Sequence, residues 1–214
     1  MDIKFIDLFC GIGGFRLGFE NACKKENLHP KCVFSSEIKN SAIDVYKANF
    51  GVDSVDGDIT KINAENIPVF DVLLAGFPCQ AFSSAGNRHG FSDTRGTLFF
   101  EIERILKYHK PRSFILENVE GLVKHDLINK NDDIGNTLFV ILEKLRILGY
   151  KVSWKVLNSL DFGLAQSRKR IFIVGSKANI VPLNDFDKQN NKLIKFLETG
   201  INSDEIGISK QLFK

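Results

Sequence analysis

The chain has 214 residues, 43% of them hydrophobic, with a formal net charge of +3 and a pI near 8.6. That is enough apolar side chain for one well-buried core, and too small a basic excess for charge alone to name a nucleic-acid partner. No run of about 18 apolar residues occurs, and the opening segment carries Asp2 and Asp7 where a secretory leader would be basic and then apolar, so a soluble, cytoplasmic chain with no membrane partner is expected.

The elements alternate. Lys4–Phe9 reads as a strand, followed by a glycine turn at Gly11 to Gly14 and an amphipathic helix to about Lys25. A second strand, Lys31–Ser36, ends at Glu37, and Ser41–Phe50 places Ala42, Val45, Tyr46 and Phe50 on one helical face. Asp58, in Gly57-Asp58-Ile59-Thr60, stands about where a third strand would end. Phe70–Ala75 is a strand, Thr97–Tyr108 a helix, and Ser113–Leu116 a strand ending at Glu117 and Asn118. Asn136–Leu148 has leucines and isoleucine at helical spacing, and Lys151–Leu157 and Arg170–Gly175 return to extended patterns. This order predicts an α/β fold, a mostly parallel sheet with helices on both faces. Residues 1–176 form one domain; 177–214, rich in Asn, Lys and Asp, read as a connector or docking tail.

Cys10, Cys23, Cys32 and Cys79 form no CxxC pair or regular framework, which suits a reducing compartment. Cys23, His29 and Cys32 lack a fourth ligand and a zinc-like spacing, so no metal is expected. Cys79 differs in placement. It follows Pro78 and the apolar run Val72 to Phe77, just past a strand end, where open α/β sheets carry reactive groups. It reads either as a nucleophile or as a buried structural thiol.

Phe9-Cys10-Gly11-Ile12-Gly13-Gly14 puts glycines where a strand turns into a helix, as nucleotide sites require. The dinucleotide fingerprint GxGxxG fails, because Arg16 stands at the third glycine. Glu37 suits two ribose hydroxyls, or a helix start stabilised by the dipole. Asp58 suits an adenine amino group, or an N-cap. Together these strand ends point to an adenosine-bearing cofactor.

DLFCGIGGF, GDIT, GFPCQAFSSAG, ENV and QSRKRIFIVG occur in one order between about Phe5 and Gly175, and that set resembles the cytosine-5 DNA methyltransferases. The resemblance implies an S-adenosylmethionine-dependent, Rossmann-like methyltransferase domain, with S-adenosylhomocysteine as product. Phe9, Cys10, Gly11, Ile12 and Gly14 would surround the methionine and adenine portions, with Glu37 on the ribose and Asp58 and Ile59 at the adenine. Pro78 and Leu98 would close the pocket, and Ile38 stands where many members carry an aromatic residue. Cys79 would add to cytosine C6, Glu117 would protonate N3 and bond the exocyclic amino group, and Asn118 would orient it. Arg168 and Arg170 would approach O2 and a nearby phosphate, although by themselves they also fit a solvated basic strand edge. Gln80, Ser83, Ser84, Arg88 and Arg95, in a segment long for an ordinary surface loop, would touch DNA whose target base has been rotated out.

Duplex DNA is the implied partner. Full-sized members continue into a target-recognition region and a final helix whose motifs are not found here; the tail from Pro182 resembles the start of that connector. The reading expected is the catalytic subunit of a split enzyme, with a second polypeptide bearing the recognition region and final helix. The alternatives are a truncated product, a non-catalytic regulatory module, or a transfer-RNA cytosine-5 methyltransferase.

Overall fold

A computed structural model describes residues 1–78, 97–129 and 132–178, and these divide between two compact units, Met1–Leu116 and Glu117–Lys214. In chain order the elements are β1 (Asp2–Leu8), α1 (Gly14–Lys25), β2 (His29–Ser36), α2 (Asn40–Phe50), β3 (Val72–Gly76), α3 (Thr97–His109), β4 (Ser113–Val119), α4 (Asn136–Ile147), β5 (Lys151–Asn158) and β6 (Lys169–Ser176). The expected alternation is present, with ends shifted by a few residues. The main difference lies at 57–66. There the chain forms no strand but two short 3-10 turns, Ile59–Lys61 and Ala64–Asn66, with one isolated bridge from Ser36 to Asp56.

In the first unit the spatial order is β2-β1-β3-β4, and β1 pairs in parallel with both β2 and β3. A bulge between Phe5 and Ile6 skips one β2 residue, so that Leu8 lies opposite Ser36 and both strands finish together. β1 is buried on both faces, with Ile3, Phe5, Ile6 and Leu8 all fully covered, as a central parallel strand requires. Because β2 lies on one side of β1 and β3 on the other, β1 sits at the switch point of the sheet. α1 and α2 pack against one another on one face, where Arg16 of α1 meets Tyr46 and Phe50 of α2, and the crevice beyond the carboxyl ends of β1 and β3 is the ligand position of such sheets. α3 adds Phe99, Ile102, Ile105 and Leu106 to this core.

In the second unit β5 and β6 pair antiparallel, from Lys151 opposite Ser176 to Asn158 opposite Lys169, unlike the parallel pairs of β1. α4 buries Leu138, Ile141, Leu142 and Leu145 on one stripe, and β6 buries Ile171 and Ile173. Among the described residues no helix is long and apolar enough to cross a membrane.

Candidate active site

At the carboxyl end of β1 the backbone makes a tight left-handed turn: φ is 55° at Phe9, 52° at Gly11 and 89° at Gly13. The Cys10 amide donates to Ser36 O at 3.0 Å and the Gly13 amide to Cys10 O at 2.8 Å, which fixes the turn before α1 begins. The glycines do different work. A Cβ on Gly13 would lie 2.1 Å from Phe50 Cε2, so this glycine lets α1 pack against the rings of α2. At Gly11 and Gly14 a Cβ would meet none of the described residues within 4 Å, which leaves room there for a ligand to approach. Ile12 and Ile38, 58% and 73% exposed, are apolar side chains beside this opening, and Leu98 is half-buried on α3. Pro78 is exposed at the end of β3, the other wall of the crevice. An open glycine turn flanked by uncovered aliphatic groups fits an adenosyl cofactor.

Glu37 ties this turn to α2. Its Oε2 accepts from the Gly11 amide at 2.9 Å, and its Oε1 accepts from the Ile38 and Lys39 amides, both at 2.9 Å. The carboxylate thus bridges the ends of β1 and β2. Asp58 caps the 3-10 turn: Oδ1 accepts from Thr60 N at 3.1 Å and Thr60 Oγ1 at 2.7 Å. These bonds hold its carboxyl below the usual range. Ile59 beside it is buried.

Three side chains that the motifs did not single out complete the cradle. Arg16 occupies the place of the missing third glycine; its guanidinium lies 4.1 Å from the Phe50 ring centroid, donates to Tyr46 Oη at 3.2 Å, and pairs with Glu20 at 2.7 Å. Tyr46 donates to Asp7 Oδ2 at 3.3 Å. Asp7 is wholly buried, its Oδ1 has no hydrogen-bond partner, and burial pushes its pKa up to about 7. The Arg16–Glu20 spacing is the one sequence signal for this network.

In the second unit Glu117 lies within β4 rather than just past it. Its Oε1 is 2.8 Å from Arg170 Nε on β6, and both side chains are about three-quarters covered, at 24% and 22% exposure. Burial raises the Glu117 pKa, and the charges of Arg170 and Arg168 only partly oppose it. Arg170 also donates from Nη1 to Lys169 O at 2.7 Å, so part of its fork holds Glu117 and its own strand. Asn118, next along β4, points to the opposite side by strand alternation, is buried, and accepts from the Val119 amide at 2.8 Å.

Arg168 is exposed, and the turn bearing it is clasped by Asn158. Asn158 Oδ1 accepts from the Arg168 and Leu160 amides at 3.0 and 3.3 Å, Nδ2 donates to Ser167 Oγ at 3.3 Å, and Ser159 Oγ donates to Gln166 O. An open cleft of about 460 Å³ runs between Val119–Gly121 and Gln166–Arg170, with Lys169 paired across it to Glu120 at 3.4 Å.

Cys79, Gln80, Ser83, Ser84, Arg88 and Arg95 lie outside the described residues. The three described cysteines are unlike a nucleophile. Burial pushes the Cys10 thiol far up, that of Cys23 up to about 11, and that of Cys32 up as well. Among the described residues no cluster of three or more His, Cys, Asp or Glu is placed to hold a metal ion.

The α/β sheet with a glycine turn after β1 is a fold shared with solved structures. The S. pombe Dnmt2 methyltransferase superposes with a TM-score of 0.68 at 22% identity, covering 87% of this chain and 55% of that one. A putative DNA modification methyltransferase encoded within an E. coli prophage gives a TM-score of 0.63 at 24% identity, covering 84% and 49%. The C-5 cytosine-specific DNA methylase family model matches residues 3–212. The chain belongs to that family. It is 56% identical over 212 residues to the Type II methyltransferase M.NlaIV of Neisseria lactamica, 99% of this chain and 50% of that protein. With M.BanI of Aneurinibacillus aneurinilyticus it shares 54% identity, over 82% of this chain and 39% of that protein. The chain spans about half the length of the curated relatives it matches most extensively.

Proposed function

We propose that this chain binds S-adenosylmethionine in its first unit and activates a cytosine of duplex DNA in its second, as the catalytic half of a cytosine-5 DNA methyltransferase in bacterial or phage restriction-modification. The carrying observation is Glu117: a carboxyl whose pKa burial raises while a forked guanidinium at 2.8 Å holds its direction. A carboxyl that holds its proton more tightly than an ordinary glutamate is suited to share it with cytosine N3.

The cofactor supplies an electrophilic methyl group on a sulfonium. Gly11 and Gly14 give it room, Ile12, Ile38 and Leu98 offer apolar contact, and Glu37 and Asp58 offer acceptors to its ribose and adenine. Glu37 already carries three amide donors, so its ribose contact is at most partial and its first role is to lock the turn.

Cytosine C5 is a weak nucleophile until a thiolate adds at C6. With the described thiols held protonated, Cys79 is the group assigned to that addition. Glu117 donates a proton to N3 as electrons move into the ring, and Arg168 and Arg170 are the guanidinium groups assigned to O2 and a nearby phosphate. The cycle closes when the C5 proton is lost and the Cys79 sulfur is eliminated.

Duplex DNA carrying 5-fluorocytosine tests the assignment, because fluorine at C5 cannot leave as a proton and the adduct persists. The chain is expected to form a covalent complex that Cys79→Ala abolishes without loss of cofactor binding. Trapping that survives the substitution would show another nucleophile, and preferential methylation of transfer RNA would replace the substrate. Running the assay with and without the product of the adjacent reading frame separates a self-sufficient chain from one that needs a second polypeptide for target recognition.

A further inference from the structure

Arg104 on α3 reaches across to the turn that carries Asp58. Its Nη2 donates to Ile59 O at 3.2 Å and to Ile62 O at 2.9 Å, so one guanidinium nitrogen spans both ends of the 3-10 turn. Glu101, one helical turn earlier, accepts from Arg104 Nε at 2.8 Å and Nη2 at 2.6 Å and fixes the fork in place. The arginine side chain is only about one-third exposed.

The geometry of what it holds is specific. Asp58 Oδ1 is taken by Thr60, while Oδ2 carries, among the described residues, a loose ion pair to Lys61 at 3.8 Å, and the side chain is 37% exposed. An ionised carboxylate can only accept, so Oδ2 complements a donor such as an adenine 6-amino group and repels a 6-oxo group. The direction of Oδ2 is set by the turn, and the turn is anchored from outside by Arg104. Lysine would bring a point charge without the fork.

We propose that Arg104 is a positioning residue for cofactor specificity: by bonding the Ile59 and Ile62 carbonyls it aims Asp58 at the 6-amino group and so lets the site distinguish adenosyl from inosyl ligands. The inference rests on the assignment of the first unit as an S-adenosylmethionine site.

Calorimetric titration of the full chain with S-adenosylhomocysteine and S-inosylhomocysteine tests it. Wild type is expected to favour the adenosyl ligand by about tenfold or more, the scale of one hydrogen bond to a charged group. Arg104→Gln should bind the adenosyl ligand about tenfold more weakly and the inosyl ligand nearly unchanged, losing the preference as Asp58→Asn does, and Arg104→Lys should restore part of it. A loss of stability alone would weaken both ligands equally. If Arg104→Gln fails to fold, Glu101→Gln loosens the same fork while keeping the guanidinium and should reduce the preference. Wild-type discrimination in the folded variant overturns the proposal. A wild-type chain that binds neither ligand overturns the cofactor assignment and this inference with it.

Discussion

The two units put carboxylates to opposite uses. In the first, Glu37 and Asp58 sit at strand and turn ends where backbone amides point at them; Glu37 takes three such bonds, and the Asp58 carboxyl is held down by Thr60. In the second, Glu117 meets no described amide donor; it is buried beside Arg170, and burial outweighs the arginine charges so that its proton is held more tightly. One chain thereby keeps carboxylates fixed by backbone amides and a hydroxyl in one place and a carboxyl with a tightened proton in another, which is the division the proposed function uses. The arginines divide similarly. Arg16 and Arg104 serve packing and turn geometry in the first unit, while Arg170 orients the acid in the second.

The largest test of this division is Glu117→Gln. In the assembled, active enzyme, kcat should fall by about 10²-fold or more, the usual contribution of a general acid, while the Kd for S-adenosylhomocysteine stays put. The wild-type rate should decline as pH rises through a pKa above the ordinary carboxylate range, and that limb should vanish in the variant. A cofactor Kd that moves with Glu117 would blur the two regions into one.

Asp7 sharpens the comparison from inside the first unit, since there too burial wins. Its folded pKa of about 7 lies above the ordinary aspartate value of 3.8, so the native state binds the proton more tightly. Its contribution to stability is present at low pH and is lost as pH rises from about 4 to 7, by roughly 4 kcal/mol on linkage arithmetic. Asp7→Asn should flatten that part of the curve of urea-unfolding free energy against pH. An unchanged slope would place the titrating group elsewhere.

Two glycines separate packing from binding. Gly13→Ala, with φ of 89° and a Cβ 2.1 Å from Phe50, should cost stability by about 1–3 kcal/mol through overpacking and strain, read as a lower urea midpoint. Gly14→Ala meets no neighbour and should leave stability within about 1 kcal/mol of wild type while weakening cofactor binding. Equal effects at the two positions would remove the argument that Gly14 faces a ligand.

The smallest effect is expected at Asn158→Ala. The turn bearing Arg168 loses its clasp, so kcat should drop severalfold with cofactor affinity unchanged.

Much of the cradle was legible in the sequence, because β1, its glycine turn and α1 are a local signal: apolar strand, permissive glycines, amphipathic helix. Asp58 was legible as a ligand candidate or an N-cap, and the structure shows the cap geometry directly. Arg104 was not, since its carbonyl partners lie more than 40 residues away and no local pattern announces a bond to them. Arg16 read only as a missing glycine; that a buried guanidinium fills the gap against Tyr46 and Phe50 depends on how α1 and α2 meet. The extended patterns of β5 and β6 carried no direction, so their antiparallel pairing emerged only with the register. Glu117 and Asn118 were singled out by motif, but the ion pair between Arg170 and Glu117 needed the distance.

Site-resolved carboxyl titration by carbon-13 NMR of the folded chain measures the central contrast most directly. Glu117 should titrate above 4.5, the ordinary value for glutamate, and Asp58 below 3.8, that for aspartate. Glu117 titrating at or below its ordinary value would contradict the account, for the second unit would then hold an ion pair and no acid for the base.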